Sequence, residues 1–212
     1  VIFDCDGVLV DSERIANRVL AEVLTDCGLP TTEDEAVDQY KGRILRDVTA
    51  RAEASLGRPL PDGWIDRFES ARAGAFREEL KAIPGAREAV QAVTDAGVRA
   101  CVATQGKPNK TELTLGLTGL RELFEDNTVF TAYEVERGKP FPDLFLHAAE
   151  SMGVDPAFTV VIEDTTLGVE AAEAAGMDVF GYTADNDAEL LAGAGAIPFS
   201  SMYQVPALLG LG

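Results

Sequence analysis

The chain has 212 residues, 46% of them hydrophobic, which is enough for one α/β domain or for a core carrying a smaller insert. A formal charge of −18 argues against a nucleic-acid surface, which needs a basic face, and against an anionic membrane. Cys5, Cys27 and Cys101 lack CxxC spacing, so a reducing, cytoplasmic setting is expected rather than a zinc site or disulfide framework. No signal peptide or membrane span is evident. Because the chain opens inside a strand-like run, a few residues are expected to precede it.

Val1-Ile2-Phe3 is a short apolar run ended by Asp4-Cys5-Asp6-Gly7, which reads as a buried parallel strand feeding a tight turn. From Ser12 to Gly28 the apolar residues recur at helical spacing. Three further helices are expected near 32–40, 43–56 and 61–80, broken at Gly42 and at Gly57-Arg58-Pro59. After Ile83-Pro84-Gly85 strands and helices alternate. Helices are predicted over 86–96, 107–116, 120–123, 142–152, 166–175, 187–192 and 202–209. Strands are predicted over 98–104, 128–131, 158–162, 178–182 and 196–199. Alternation of this kind predicts a parallel, Rossmann-like α/β sheet with right-handed crossovers, and the first strand must join it. Residues 1–11 and 82–212 therefore read as the core, and 12–81 as a helical insert.

Three later segments share a feature with the first. One strand ends in Thr104-Gln105-Gly106, a lysine lies in Gly138-Lys139-Pro140-Phe141-Pro142-Asp143, and another strand ends in Glu163-Asp164. Each has a local alternative. Asp4 and Asp6 suit an Asx turn, Thr104 a chain reversal, Lys139 a solvated surface, and Glu163 and Asp164 the positive end of a helix. Taken together they put carboxylates, a hydroxyl and a cation at the carboxyl edge of one sheet, where open α/β folds bind ligands. That set suits phosphoryl transfer through an aspartyl-phosphate. An anion attacking a phosphate meets repulsion of about 4 kcal/mol per charge pair at ~4 Å and an effective dielectric of ~20. Mg²⁺ and a lysine remove that obstacle, and a second carboxylate can shuttle the proton.

Asp4-x-Asp6, Thr104, Lys139 in GKPFPD and Glu163-Asp164 in VVIEDTTLGVEAAEAAGM resemble, in order, the motifs of the haloacid dehalogenase superfamily. The resemblance spans nearly the whole chain and implies a Rossmann-like core with an α-helical cap inserted after the first motif. It implies Asp4 as nucleophile and Mg²⁺ ligand, and Asp6 as general acid/base lending a backbone carbonyl to the metal. Thr104, Gln105 and Lys139 would hold phosphate, and Asp164 would ligate Mg²⁺ with Glu163 beside it or through water. The family position after the hydroxyl is often Asn or Ser, so the longer Gln105 has an open role. Within the superfamily, the sugar-phosphatase and β-phosphoglucomutase branch is the most similar. The stretches around CVATQGKP and GKPFPDLFLHAAESMGV are similar to 6-phosphogluconate phosphatase-like proteins.

The reaction so implied is Mg²⁺-dependent hydrolysis of a small phosphorylated sugar, sugar acid or polyol. The alternatives are a hexose phosphate mutase and a non-catalytic binding protein. Mutases of this branch carry a histidine at about Ala16, so its absence favours hydrolysis. Lys41, Gly42, Arg43 and Arg46 form a local positive cluster that suits a sugar acid phosphate or, equally, a solvated helix start. Trp64 and the single histidine, His147, read as packing or surface residues. The expected partner is a small phosphorylated metabolite, and the expected state a monomer or homodimer.

Overall fold

The structure is a computed structural model that describes residues 1–41, 43–184 and 186–211. It divides into two compact units, Val1–Val10 with Ala82–Gly212, and Asp11–Lys81.

The first unit is built on a six-stranded sheet in which every strand runs parallel to its neighbours. The strands are β1 (Ile2–Phe3), β2 (Cys101–Thr104), β3 (Val129–Thr131), β4 (Val160–Glu163), β5 (Asp178–Tyr182) and β6 (Ile197–Phe199), in the order β3-β2-β1-β4-β5-β6. A wholly parallel sheet must be covered on both faces, which is why β1 is apolar throughout and β2 and β4 are apolar up to their last residues, Thr104 and Glu163. On one face Ile2, Cys101, Ala103 and Val161 pack with Leu144, Phe145, Val169 and Ala172 in a single buried cluster. β1 lies between β2 and β4, where the strand order reverses. That reversal opens a crevice at the carboxyl edge of β1, β2 and β4.

Among its described residues the second unit holds four helices, α1 (Glu13–Asp26), α2 (Glu33–Tyr40), α3 (Leu45–Leu56) and α4 (Trp64–Glu79). Its core is the stripe of Val19, Leu20, Val23 and Leu24 on α1, packed with Tyr40, Val48, Trp64 and Phe68. Thr32 and Glu35 form a reciprocal capping box that starts α2.

The remaining helices of the first unit are α5 (Ala86–Asp95), α6 (Pro108–Leu117), α7 (Asp143–Met152), α8 (Thr166–Ala174), α9 (Ala188–Gly193) and α10 (Val205–Leu208). Several spans differ from the sequence reading: α4 starts at Trp64 rather than 61, β4 is Val160–Glu163 rather than 158–162, and the helix expected at 120–123 is a 3₁₀ turn, Arg121–Leu123. The strand expected from 98 starts at Cys101, because its partner β1 begins pairing only with Ile2 opposite Cys101. The helix expected over 202–209 is a 3₁₀ turn, Met202–Gln204, followed by α10, whose first turn carries Pro206.

Candidate active site

Sheet register brings the motifs together. Phe3 lies opposite Val102 and Ile162, so Asp4 follows one step beyond, level with Ala103 and Glu163. The Asp4 backbone N–H continues the ladder onto the Ile162 carbonyl at 2.9 Å. The chain then reverses sharply: Leu9 and Val10 N–H both donate to the Cys5 carbonyl, at 2.9 and 3.0 Å. Gly7 makes the reversal possible, with φ of +80°. A Cβ at Gly7 would also stand 2.3 Å from Asp164 Oδ2, so the glycine admits the Asp164 carboxylate against the turn.

Lys139 is the centre of the site. Its Nζ donates to Asp4 Oδ1 at 2.5 Å, to Glu163 Oε1 at 2.6 Å and to the Ala103 carbonyl at 3.2 Å. Those bonds use all of an ammonium's hydrogens. The group also lies 5.0 Å from the Phe145 ring centre. Burial works against the Lys139 charge, but the two carboxylates outweigh it and hold its pKa above the ordinary lysine range. Burial pushes the Asp4 carboxyl up. Lys139 pulls it back and Glu163 and Asp6 push it up again, leaving it at about 7.

Thr104 is buried at the end of β2, where its Oγ1 accepts from the Gly106 N–H at 3.1 Å. Gln105, expected among the phosphate ligands, meets the Lys139 backbone with its side chain. Its Oε1 accepts from the Lys139 N–H and its Nε2 donates to the Lys139 carbonyl, both at 3.2 Å. This two-point contact orients the backbone that carries the lysine.

Glu163 and Asp164, paired as metal ligands in the sequence reading, make different contacts. Glu163 Oε1 holds Lys139, while Oε2 accepts from Asp164 N, Thr165 N and Thr165 Oγ1 at 2.8, 2.8 and 3.0 Å. Both Glu163 oxygens are thus engaged by the lysine and by the turn into α8. Asp164 is buried against Gly7, and its Oδ2 accepts from Asn186 Nδ2 at 3.1 Å.

Two participants were missed in the sequence reading. Lys110 forms an ion pair with Asp6, and Asn186 reaches Asp164. Lys110 is one of five lysines and lies in the first turn of the helix after Thr104; Asn186 lies just beyond the end of β5. Those were the signals available.

Carboxylate oxygens are the donors that a hard divalent cation takes. Asp4 and Glu163 share Lys139, Asp6 pairs with Lys110, and Asp164 lies against Gly7. Among the described residues no group of three or more acids, histidines or cysteines forms a cage of its own. A cation here would need to complete its shell with backbone carbonyl, water and substrate oxygens, as Mg²⁺ does. Cys5 and Cys101 are poor candidates for the nucleophile: burial raises the pKa of Cys5, and that of Cys101 to about 12.

The positive cluster belongs to the helical unit. Lys41 follows α2, Arg43 Nε donates to the Gln39 carbonyl at 3.1 Å, and exposed Arg46 lies 3.5 Å from Asp47. Gly42 is outside the described residues. His147 is half-buried, edge-on to Phe130 and 3.7 Å from Glu134. Trp64 is buried in the helical core. Among the described residues no helix is long and apolar enough to cross a membrane.

Comparison with known proteins follows the same lines. A family model described as haloacid dehalogenase-like hydrolase matches residues 1–182. The chain is 31% identical over 209 residues to the 6-phosphogluconate phosphatase of Escherichia coli K12, covering 98% of this chain and 93% of that protein. It is 32% identical over 204 residues to a phosphorylated carbohydrates phosphatase of Thermotoga maritima, covering 93% and 91%. A crystal structure of a HAD family hydrolase from Deinococcus radiodurans R1, with bound phosphate and sodium, superposes with a TM-score of 0.80. That protein is 31% identical, over 99% of this chain and 95% of the other.

Proposed function

Since the chain belongs to the haloacid dehalogenase-like hydrolases and is a phosphatase of that family, we propose that it hydrolyses a small phosphorylated sugar, sugar acid or polyol through a phosphorylated Asp4. One observation carries the reading: a buried carboxylate at the end of β1 shares a buried lysine with Glu163 at the strand-order reversal.

Asp4 attacks phosphorus as the bond to the leaving oxygen breaks, and Asp6 gives that oxygen its proton. Asp6 then takes a proton from water, which attacks phosphorus, breaks the bond to Asp4 and frees phosphate. Thr104 donates its hydroxyl hydrogen to a phosphate oxygen, and Lys139 supplies a fixed positive charge there. Glu163 and Gln105 keep Lys139 in place, one through its ammonium and the other through its backbone. Asp4, Asp164 and the Asp6 carbonyl would hold Mg²⁺, with Glu163 contributing through water. The cation would neutralise charge on the carboxylate and phosphate oxygens. Lys41, Gly42, Arg43 and Arg46 select the substrate, favouring one with an additional acid group.

Phosphate release from a panel of sugar, sugar-acid, polyol and nucleoside monophosphates, with Mg²⁺ and with EDTA, tests this. Release that favours the carbohydrate phosphates and stops in EDTA is expected. Isomerisation of a hexose phosphate without phosphate release would replace the reading with a mutase.

A further inference from the structure

Resting on that assignment of proton transfer to Asp6, we propose that Lys110 is the positioning residue for the Asp6 carboxylate. Lys110 Nζ and Asp6 Oδ1 form an ion pair whose lysine side chain is only 9% exposed and whose aspartate is 19% exposed. The pair is built by two elements whose register is fixed independently. Cys5, between the two motif aspartates, sets its Sγ 3.9 Å from Thr114 Oγ1 of α6. Lys110 precedes Thr114 by one helical turn, so the two residues lie on the same face of α6. That face meets successive residues of the first motif, Thr114 against Cys5 and Lys110 against Asp6.

The lysine stem is also confined. A Cβ placed on Gly106 would stand 3.4 Å from Lys110 Cδ and 3.4 Å from Thr104 Oγ1, so the stem runs past the residue that follows the second motif. An ammonium on a confined stem fixes the direction of the carboxylate it holds. For a group that must deliver a proton to one oxygen and later take one from water, direction governs rate.

The distinguishing readout is the leaving group. A sugar alkoxide needs a proton as it departs, whereas p-nitrophenolate leaves as the anion. For Lys110→Met, which keeps an apolar stem, kcat/KM on a sugar phosphate is expected to fall about 10- to 100-fold, part of the ~10²–10⁴ a positioned acid contributes. On p-nitrophenyl phosphate it should change less than about threefold. Lys110→Arg keeps the cation and should retain the wild-type ratio between the two substrates, even if Lys110→Met fails to fold. Equal losses on both substrates, as a phosphate ligand or a structural strut would give, overturn the proposal; so does no loss on either.

Crystal structures of the wild type and Lys110→Met read the pairing without turnover. The Asp6 carboxylate should meet Lys110 Nζ in the first and turn away in the second. A wild-type carboxylate directed elsewhere overturns the proposal even in an active enzyme. A wild type inactive on every phosphomonoester defeats the phosphatase reading instead.

Discussion

Lys139 is charged in a place that would otherwise expel charge, because Asp4 and Glu163 each lie within 2.6 Å of its Nζ. Removing one member of such a set leaves buried charge uncompensated. Lys139→Met is therefore expected to lose about 3–5 kcal/mol of stability in urea unfolding, in addition to activity. A variant as stable as the wild type would show that the carboxylates do not depend on this cation. Asp4 gives a pH signature of the same network. Its folded pKa, about 7, lies above the ordinary aspartate value of 3.8, so between them the native state binds more protons than the unfolded chain. Its contribution is fully present below the unfolded pKa and is lost as pH rises through about 7. In EDTA, wild-type stability should thus decline over that range relative to Asp4→Asn, which has no such titration. Parallel profiles would remove the burial penalty from the account. At this scale the acids and the lysine were legible because strand ends and Gly-Lys-Pro show in sequence. Glu163's attachment to Lys139 was not, since it depends on a partner 24 positions away.

At the scale of elements, the turn from β4 into α8 decides how Lys139 is held. Glu163 ends the strand, and its Oε2 accepts from the first N–H groups of the turn while Oε1 reaches the lysine. Gly168, in the first turn of α8, leaves room for this. A Cβ there would fall 1.9 Å from the Glu163 carboxyl carbon. Gly168→Ala should displace Glu163, cost about 1–3 kcal/mol by overpacking, and lower kcat by weakening the hold on Lys139. Wild-type kcat in a destabilised Gly168→Ala would separate packing from catalysis. The elements themselves were readable from apolar periodicity, and β5 coincides with its predicted span over 178–182. What periodicity does not carry is lateral order. Nothing in Val1–Phe3 indicates that β1 pairs with both β2 and β4, yet that pairing aligns Asp4 with Ala103 and Glu163. Lys110 and Asn186 escaped notice for a related reason: each sits in an ordinary polar context locally and gains meaning only from a motif far along the chain.

Across the whole molecule, work is divided between a sheet unit holding the acid–lysine network and a helical unit of residues 11–81. On this account the first performs the reaction and the second chooses the substrate. Lys41→Ala and Arg46→Ala should shift preference among carbohydrate phosphates, chiefly against sugar acids, while leaving p-nitrophenyl phosphate turnover close to wild type. Kinetics unchanged across the panel would remove these residues from recognition. The division was legible as a change from a helical stretch to alternating strands and helices near residue 82, because an inserted unit interrupts the α/β pattern without altering it. The chosen substrate was not legible, since exposed cations such as Arg46 suit solvent as well as a ligand. The central claim is that phosphate passes through Asp4. Mass spectrometry of enzyme acid-quenched during turnover with Mg²⁺ and a carbohydrate phosphate tests it most directly. The account predicts one phosphoryl group on the peptide containing Asp4 and none in Asp4→Asn, which should also be inactive. Phosphate release by Asp4→Asn at the wild-type rate would contradict it.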